Sequence, residues 1–175
     1  MLSYSSSRTA TKRGNTRTNM ITYRTTKSIF DCYRAFELTE GLDVFYPDIR
    51  DWFWNKVVPS TITGNSSIVL AEEHDQVIGL SMVKAGDDPK IRCLRVRPEY
   101  ANRGVGIHLI DKSLKLLDHD KPMVTVPEEK INELSRIMVN RFDFDLRFVD
   151  RGLYRPGKLE YQFNGQENQR IKSAY

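Results

Sequence analysis

Apolar and polar positions along the chain change period several times, and each change marks an element. Ile21-Thr22-Tyr23-Arg24 alternates as a first strand, and Thr26 stands as an N-cap before an amphipathic run through Ile29, Cys32, Tyr33 and Phe36. Gly41 closes that helix. Beyond Pro47, Ile49, Trp52, Phe53 and Val57 recur at helical spacing, and Pro59 bounds this second helix. The period then falls to two. Ile68 to Ala71 and Val77 to Val83 flank the polar turn Glu73-His74-Asp75 as a β-hairpin, and a third strand runs from Ile91 to Val96 before Pro98.

From Gly104 onward Val105, Leu109, Ile110, Leu114 and Leu117 mark a further amphipathic helix. Met123 to Val126 reads as a short buried strand bounded by Pro127, and Asn132 to Phe142 as a helix. Phe144 to Val149 and Leu159 to Phe163 read as two closing strands. The predicted order is βααβββαβαββ, an α+β fold in which helices flank one mixed, mostly antiparallel sheet.

Length and composition narrow this to one domain: 175 residues, 39% of them hydrophobic, build one ordinary core. No run approaches the roughly 18 apolar residues of a membrane span, and no secretory signal stands at the N-terminus, so a soluble cytoplasmic protein without a membrane partner is expected. Cys32 and Cys93 lie far apart and outside any metal-binding spacing, which predicts neither a disulfide nor a metal site; Cys93, inside a strand, reads as a buried thiol. His74, His108 and His119 have no partner at metal or triad spacing and read as surface residues, with His108 just beyond the glycine loop.

The formal charge is +4, and residues 1–19 alone carry Arg8, Lys12, Arg13 and Arg17 with no acid. The rest of the chain is balanced. Residues 1–19 are therefore expected to be a flexible basic arm, residues 20–165 the folded domain and 166–175 a C-terminal tail, and nucleic acid is an expected partner only through the arm.

The stretch Leu94-Arg95-Val96-Arg97-Pro98-Glu99-Tyr100-Ala101-Asn102-Arg103-Gly104-Val105-Gly106 runs from a strand through a turn into a helix start. The first backbone N–H groups of a helix have no internal acceptor, and glycines let an anion approach them. Such a stretch suits a pyrophosphate, with Arg103 adding a charge-assisted contact. It lacks the longer glycine fingerprint of a dinucleotide fold and the terminal GK[ST] of a P-loop.

With Leu109 added, this string and the strand order around it resemble the cofactor motif of the GNAT acetyltransferase superfamily, over roughly residues 20–163. The resemblance implies an acyl-CoA-dependent N-acetyltransferase with acetyl-CoA as co-substrate and an amine of a small molecule or peptide as acceptor. The cofactor would lie in a V-shaped opening between the strands of Leu94–Val96 and Met123–Val126. Its pantetheine arm would pair with the backbone of Leu94, Arg95 and Val96, and its pyrophosphate would rest on Arg103, Gly104, Val105 and Gly106. Asn132 matches an Asn that contacts the cofactor in the family. The amine would attack the thioester directly, with a backbone N–H, that of Val96, holding the oxyanion. Homodimers are a common assembly in the family.

Two positions depart from the pattern. Ala101 stands where Gln or Arg is usual, and Val139 stands where the family often carries the Tyr that protonates the leaving thiolate. Tyr154 is the alternative acid. Glu128 and Glu129, directly after the splayed strand, are the preferred bases over Glu72 and Glu73. Between Glu37 and Asp51, five acids interleaved with Phe45 and Tyr46, with Trp52 and Trp54 just beyond, suit a cationic amine, or equally a solvated face over core aromatics. A catalytically silent CoA-binding regulatory module is the alternative reading.

Overall fold

The computed structural model describes residues 20–165, so the expected arm and tail lie outside the described residues. Seven strands form one sheet: β1 (Thr22–Thr26), β2 (Ser66–Glu73), β3 (Gln76–Lys84), β4 (Lys90–Val96), β5 (Met123–Pro127), β6 (Leu146–Arg151) and β7 (Leu159–Phe163), arranged β1-β2-β3-β4-β5-β7-β6. All neighbours are antiparallel except β4 and β5. Four helical segments are long or connected enough to cover the faces: α1 (Ile29–Glu37), the run α2 (Ile49–Trp52) to α3 (Val58–Ile62), α4 (Val105–Leu117) and α5 (Ile131–Phe142). The order of elements is the one the hydrophobic period predicts.

The core is double because the sheet is covered on both faces. Cys32, Ala35 and Leu38 of α1 with Phe53, Val57 and Val58 pack on Ile68, Leu70, Leu80 and Met82. On the opposite face Val105 and Leu109 of α4 meet Val69, Ala71 and Ile78, and Ile110 joins Met138, Val124, Val126 and Phe163. Strand positions of alternating parity thus serve the two layers, with the parity of β3 reset at Ile78, the extra residue at the register shift beside Ala71 and Glu72. Among the described residues no helix is long and apolar enough to cross a membrane.

Two local expectations are corrected. Thr26 is not the cap of α1: it ends β1, donates to the Asp31 carboxylate at 2.6 Å and accepts from the Ser28 N–H at 3.0 Å, and Ser28 stands at the cap position. Arg24 joins this cluster, holding Asp31 and Glu72 by charge-assisted bonds of 2.7 Å that keep both carboxyls below their ordinary range and tie α1 to β1 and β2. Pro59 likewise does not end the second helix. A π-helical turn at Phe53–Val57 loosens the backbone just before it, and Pro59 then enters the first turn of α3, where its missing N–H costs little.

Candidate active site

The site begins where β4 and β5 part. Their parallel pairing covers only Lys90 with Met123 and Ile91 with Val124. Beyond these pairs Cys93 to Val96 are matched to β3 on one side, Thr125 to Pro127 are matched to β7, and the two strands face each other across a gap. This is the V-shaped opening expected from the sequence, bordered by Leu94, Arg95 and Val96 on one side.

The β4 side of the opening continues into α4 through a tight loop. A 3-10 turn at Pro98–Tyr100 leads to Asn102 and Gly104, both in the left-handed region at φ 59° and 79°. Gly104 is the N-cap of α4 and no side chain caps the helix, so the amides of Val105 and Gly106 are left for an outside acceptor. Gly79 brings α4 close to the sheet: a Cβ there would lie 3.1 Å from Leu109, 3.2 Å from Val105 and 3.2 Å from the Arg95 carbonyl. Arg103 folds back, its guanidinium 4.7 Å from the centre of the Tyr100 ring and 3.5 Å from the buried Glu73 carboxylate, which also accepts from the Tyr100 hydroxyl at 2.8 Å. His108 stacks on Tyr23 and meets the Gly104 carbonyl through Nδ1 at 2.9 Å.

On the β5–β7 side the site is made of side chains. Glu160 of β7 is 4% exposed, and its carboxyl is pushed up to about 7 by burial, against the pull of hydrogen bonds from Tyr46 and Thr125. The Tyr46 hydroxyl donates to Glu160 Oε1 at 3.1 Å, and burial beside that carboxylate raises the phenol's own pKa. Tyr154 packs edge-on against Tyr46, ring centres 5.2 Å apart, with the Thr125 side chain close enough to act on its hydroxyl. The residue as a whole is 40% exposed, while desolvation around the hydroxyl raises its pKa.

The remaining sequence-predicted residues are placed differently. Glu129 accepts both Arg155 nitrogens at 2.7 and 2.9 Å, which holds its carboxyl down at about 2; Glu128 accepts from Lys158 at 2.6 Å and from the Leu159 N–H at 2.8 Å and is also lowered. Neither is brought to Glu160, Tyr46 and Tyr154 by a hydrogen bond. Asn132 is exposed in the first turn of α5, and Val139 is 46% exposed further along it. The acids Glu37, Glu40, Asp43, Asp48 and Asp51 are all exposed, whereas Tyr46 and Trp52 turn partly inward. Burial pushes the Cys93 thiol up to about 12, which removes it as a nucleophile at neutral pH. Among the described residues no group of His, Cys, Asp and Glu is placed to hold a metal ion.

Glu160 is the residue sequence reasoning missed, and Tyr46, read there only as an aromatic among the acids of residues 37–51, is its hydrogen-bond partner. Glu160 alternates with Leu159 and Tyr161 as a solvated strand position would. The available signal was that a strand flanked on both sides has no solvated edge, and here its second face is covered too.

Comparison with known proteins agrees with this geometry. In fold the chain is similar to a protein of Desulfovibrio desulfuricans described as a GNAT acetyltransferase, with a TM-score of 0.65 at 16% identity over 82% of this chain and 97% of that one. It is also similar to the PaiA N-acetyltransferase of Thermoplasma acidophilum, solved with coenzyme A, with a TM-score of 0.60 at 15% identity over 81% and 98% of the two chains. The ribosomal-protein-S18-alanine N-acetyltransferase of Escherichia coli gives 0.63 at 11% identity over 82% and 92%. No curated protein matches by sequence. The model of the acetyltransferase (GNAT) family matches residues 24–132, more than half of the chain, and with the parted β4–β5 strands and the uncapped α4 inside that span, the chain belongs to the GNAT acetyltransferase family.

Proposed function

We propose that the protein moves an acetyl or other acyl group from acyl-CoA to a primary amine of a small molecule or peptide by direct attack. The observation that carries this reading is the placement of Glu160, buried, with its carboxyl pushed up to about 7, opposite Pro127 of β5 where β5 has parted from β4. The free edge of Leu94, Arg95 and Val96 receives the pantetheine arm, and the amides of Arg103, Gly104, Val105 and Gly106 receive the pyrophosphate, with Asn132 at the rim.

A base whose pKa lies near the working pH is best matched to take a proton from an ammonium. Glu160 fits that role better than Glu128 or Glu129, whose carboxylates are neutralised by Lys158 and Arg155. The amine nitrogen bonds to the thioester carbon, the oxyanion accepts from a β4 amide such as that of Val96, and the carbon–sulfur bond then breaks. Of the two protons the ammonium gives up, one goes to Glu160 and the other reaches the leaving thiolate through the Tyr154 hydroxyl. Tyr46 holds Glu160 in place. Val139 on α5 leaves the proton-donor role to Tyr154, and the same substitution favours the second reading, a silent CoA-binding module.

Free-thiol release from acetyl-CoA, measured against polyamines, aminoglycosides, amino acids and peptides, separates the two. Release with at least one amine, rising with pH through about 7, is expected. Acetyl-CoA binding with no release from any amine supports the silent module.

A further inference from the structure

On the α1–α3 face of the opening lies a row of polar side chains that the proton transfers do not use. Arg92 is the extra residue of β4: Met82 pairs with Cys93 and Val83 with Ile91, so Arg92 has no opposite number on β3. A bulge re-aims its side chain, and the guanidinium lies over the Trp52 ring, 6.0 Å from its centre. Nη1 of Arg92 is buried and has no hydrogen-bond partner among the described residues. The acid that acts on it, Asp88, already meets Lys90 at 2.5 Å and Lys84 at 3.7 Å.

The row continues across the gap. Ile91 and Val124 are the last paired residues of β4 and β5, so Arg92 and Thr125 are the next on each strand, and Thr125 sits opposite Gln162 of β7. Gln162 is 1% exposed, and neither of its amide atoms has a partner among the described residues. Arg92 is half-buried, and its Nη1 makes no hydrogen bond to the Asp88 carboxylate that acts on it, whose Lys90 and Lys84 contacts both use Oδ2. A carboxylate is the small anion that a guanidinium holds through paired N–H donors.

Tyr154 ties this row to the reacting centre. The Thr125 side chain and the Arg92 charge act on its hydroxyl, and its ring packs on Tyr46, the partner of Glu160. An acceptor spanning the two carries its amine and its anion only a few bonds apart.

We infer that the acceptor is a free amino acid, its amine toward Glu160 and Tyr154 and its carboxylate held by Arg92 with Gln162. This rests on the amine-acylation reading above. The exposed acids of residues 37–51 then face solvent rather than select a polycation.

The test is thiol release from acetyl-CoA with matched pairs that differ only in the carboxylate, such as phenylalanine with 2-phenylethylamine and methionine with 3-(methylthio)propylamine, extended over the standard amino acids. The amino acid of the best pair is expected to show kcat/KM at least about tenfold above its amine, the scale of a hydrogen bond to a charged group. Arg92→Gln is expected to collapse that ratio toward one, mainly through KM, and Arg92→Lys to restore part of it, with acetyl-CoA affinity unchanged in both. Amines that match or exceed their amino acids, or an Arg92→Gln loss shared equally by both members, would overturn the inference. Should no amine release thiol, the transferase reading fails by itself. Calorimetric binding of N-acetyl amino acids against N-acetyl amines in the presence of CoA then decides the carboxylate site, and equal affinity overturns it.

Discussion

The two sides of the β4–β5 opening are built by different means. The β4–α4 side is a backbone device: a strand edge without a neighbour, a loop turned by Asn102 and Gly104, and helix amides that no side chain caps. The β5–β7 side is a side-chain device assembled from Tyr46, Thr125, Tyr154 and Glu160, which lie far apart in sequence. A backbone device holds an invariant chemical group with little dependence on residue identity. A side-chain device sets proton transfers and acceptor choice, and it tolerates no exchange of its central carboxyl.

Glu160→Gln is the largest expected break in that comparison. It should lower kcat by about 10²- to 10⁴-fold, the usual contribution of a general base. Stability should move the other way. The native carboxyl keeps its proton up to about pH 7 while the unfolded one loses it near 4.5, so Glu160 stabilises the fold most below pH 4.5, and that stability is lost as pH rises through 7. At pH 8 the penalty is on the order of 3 kcal/mol. The Gln variant should therefore melt higher than wild type at pH 8 and alike at pH 4, read by thermal unfolding across that range.

Tyr154→Phe comes next. It should reduce kcat by roughly 100-fold, the lower end of the contribution of general acid catalysis, and leave KM for acetyl-CoA within a factor of about two. Smallest is the pair Glu128→Gln and Glu129→Gln. Their carboxylates sit in exposed ion pairs with Lys158 and Arg155, and each change should alter kcat by less than about threefold, with little change in thermal stability. A large loss in either would move the base from Glu160 to the strand end.

The same division explains what could be read from the chain. Leu94 to Gly106 is one contiguous run with Leu109 three residues beyond, and its function depends on local backbone shape, so a linear string carries it. The alternation of Val77 to Val83 and the helical spacing of Val105 to Leu117 likewise place the sheet and α4. Glu160 and Arg92 could not be read because polar alternates in a strand look solvated until both faces of the sheet are known to be covered. Tyr46 lies in a connection without period, and its meaning comes from a partner in the last strand. Pro59 misled because a π-turn, which has no sequence signature of its own, absorbs the break before it.

Isothermal titration of acetyl-CoA into wild type, Glu160→Gln and Gly104→Val tests the central claim most directly. Gly104 holds φ 79°, where a β-branched residue is strained and pulls the loop off the amides of α4. The account predicts equal affinity for wild type and Glu160→Gln, and a loss of about tenfold or more for Gly104→Val. Wild type that fails to bind acetyl-CoA, or Gly104→Val that binds as wild type does, would contradict it.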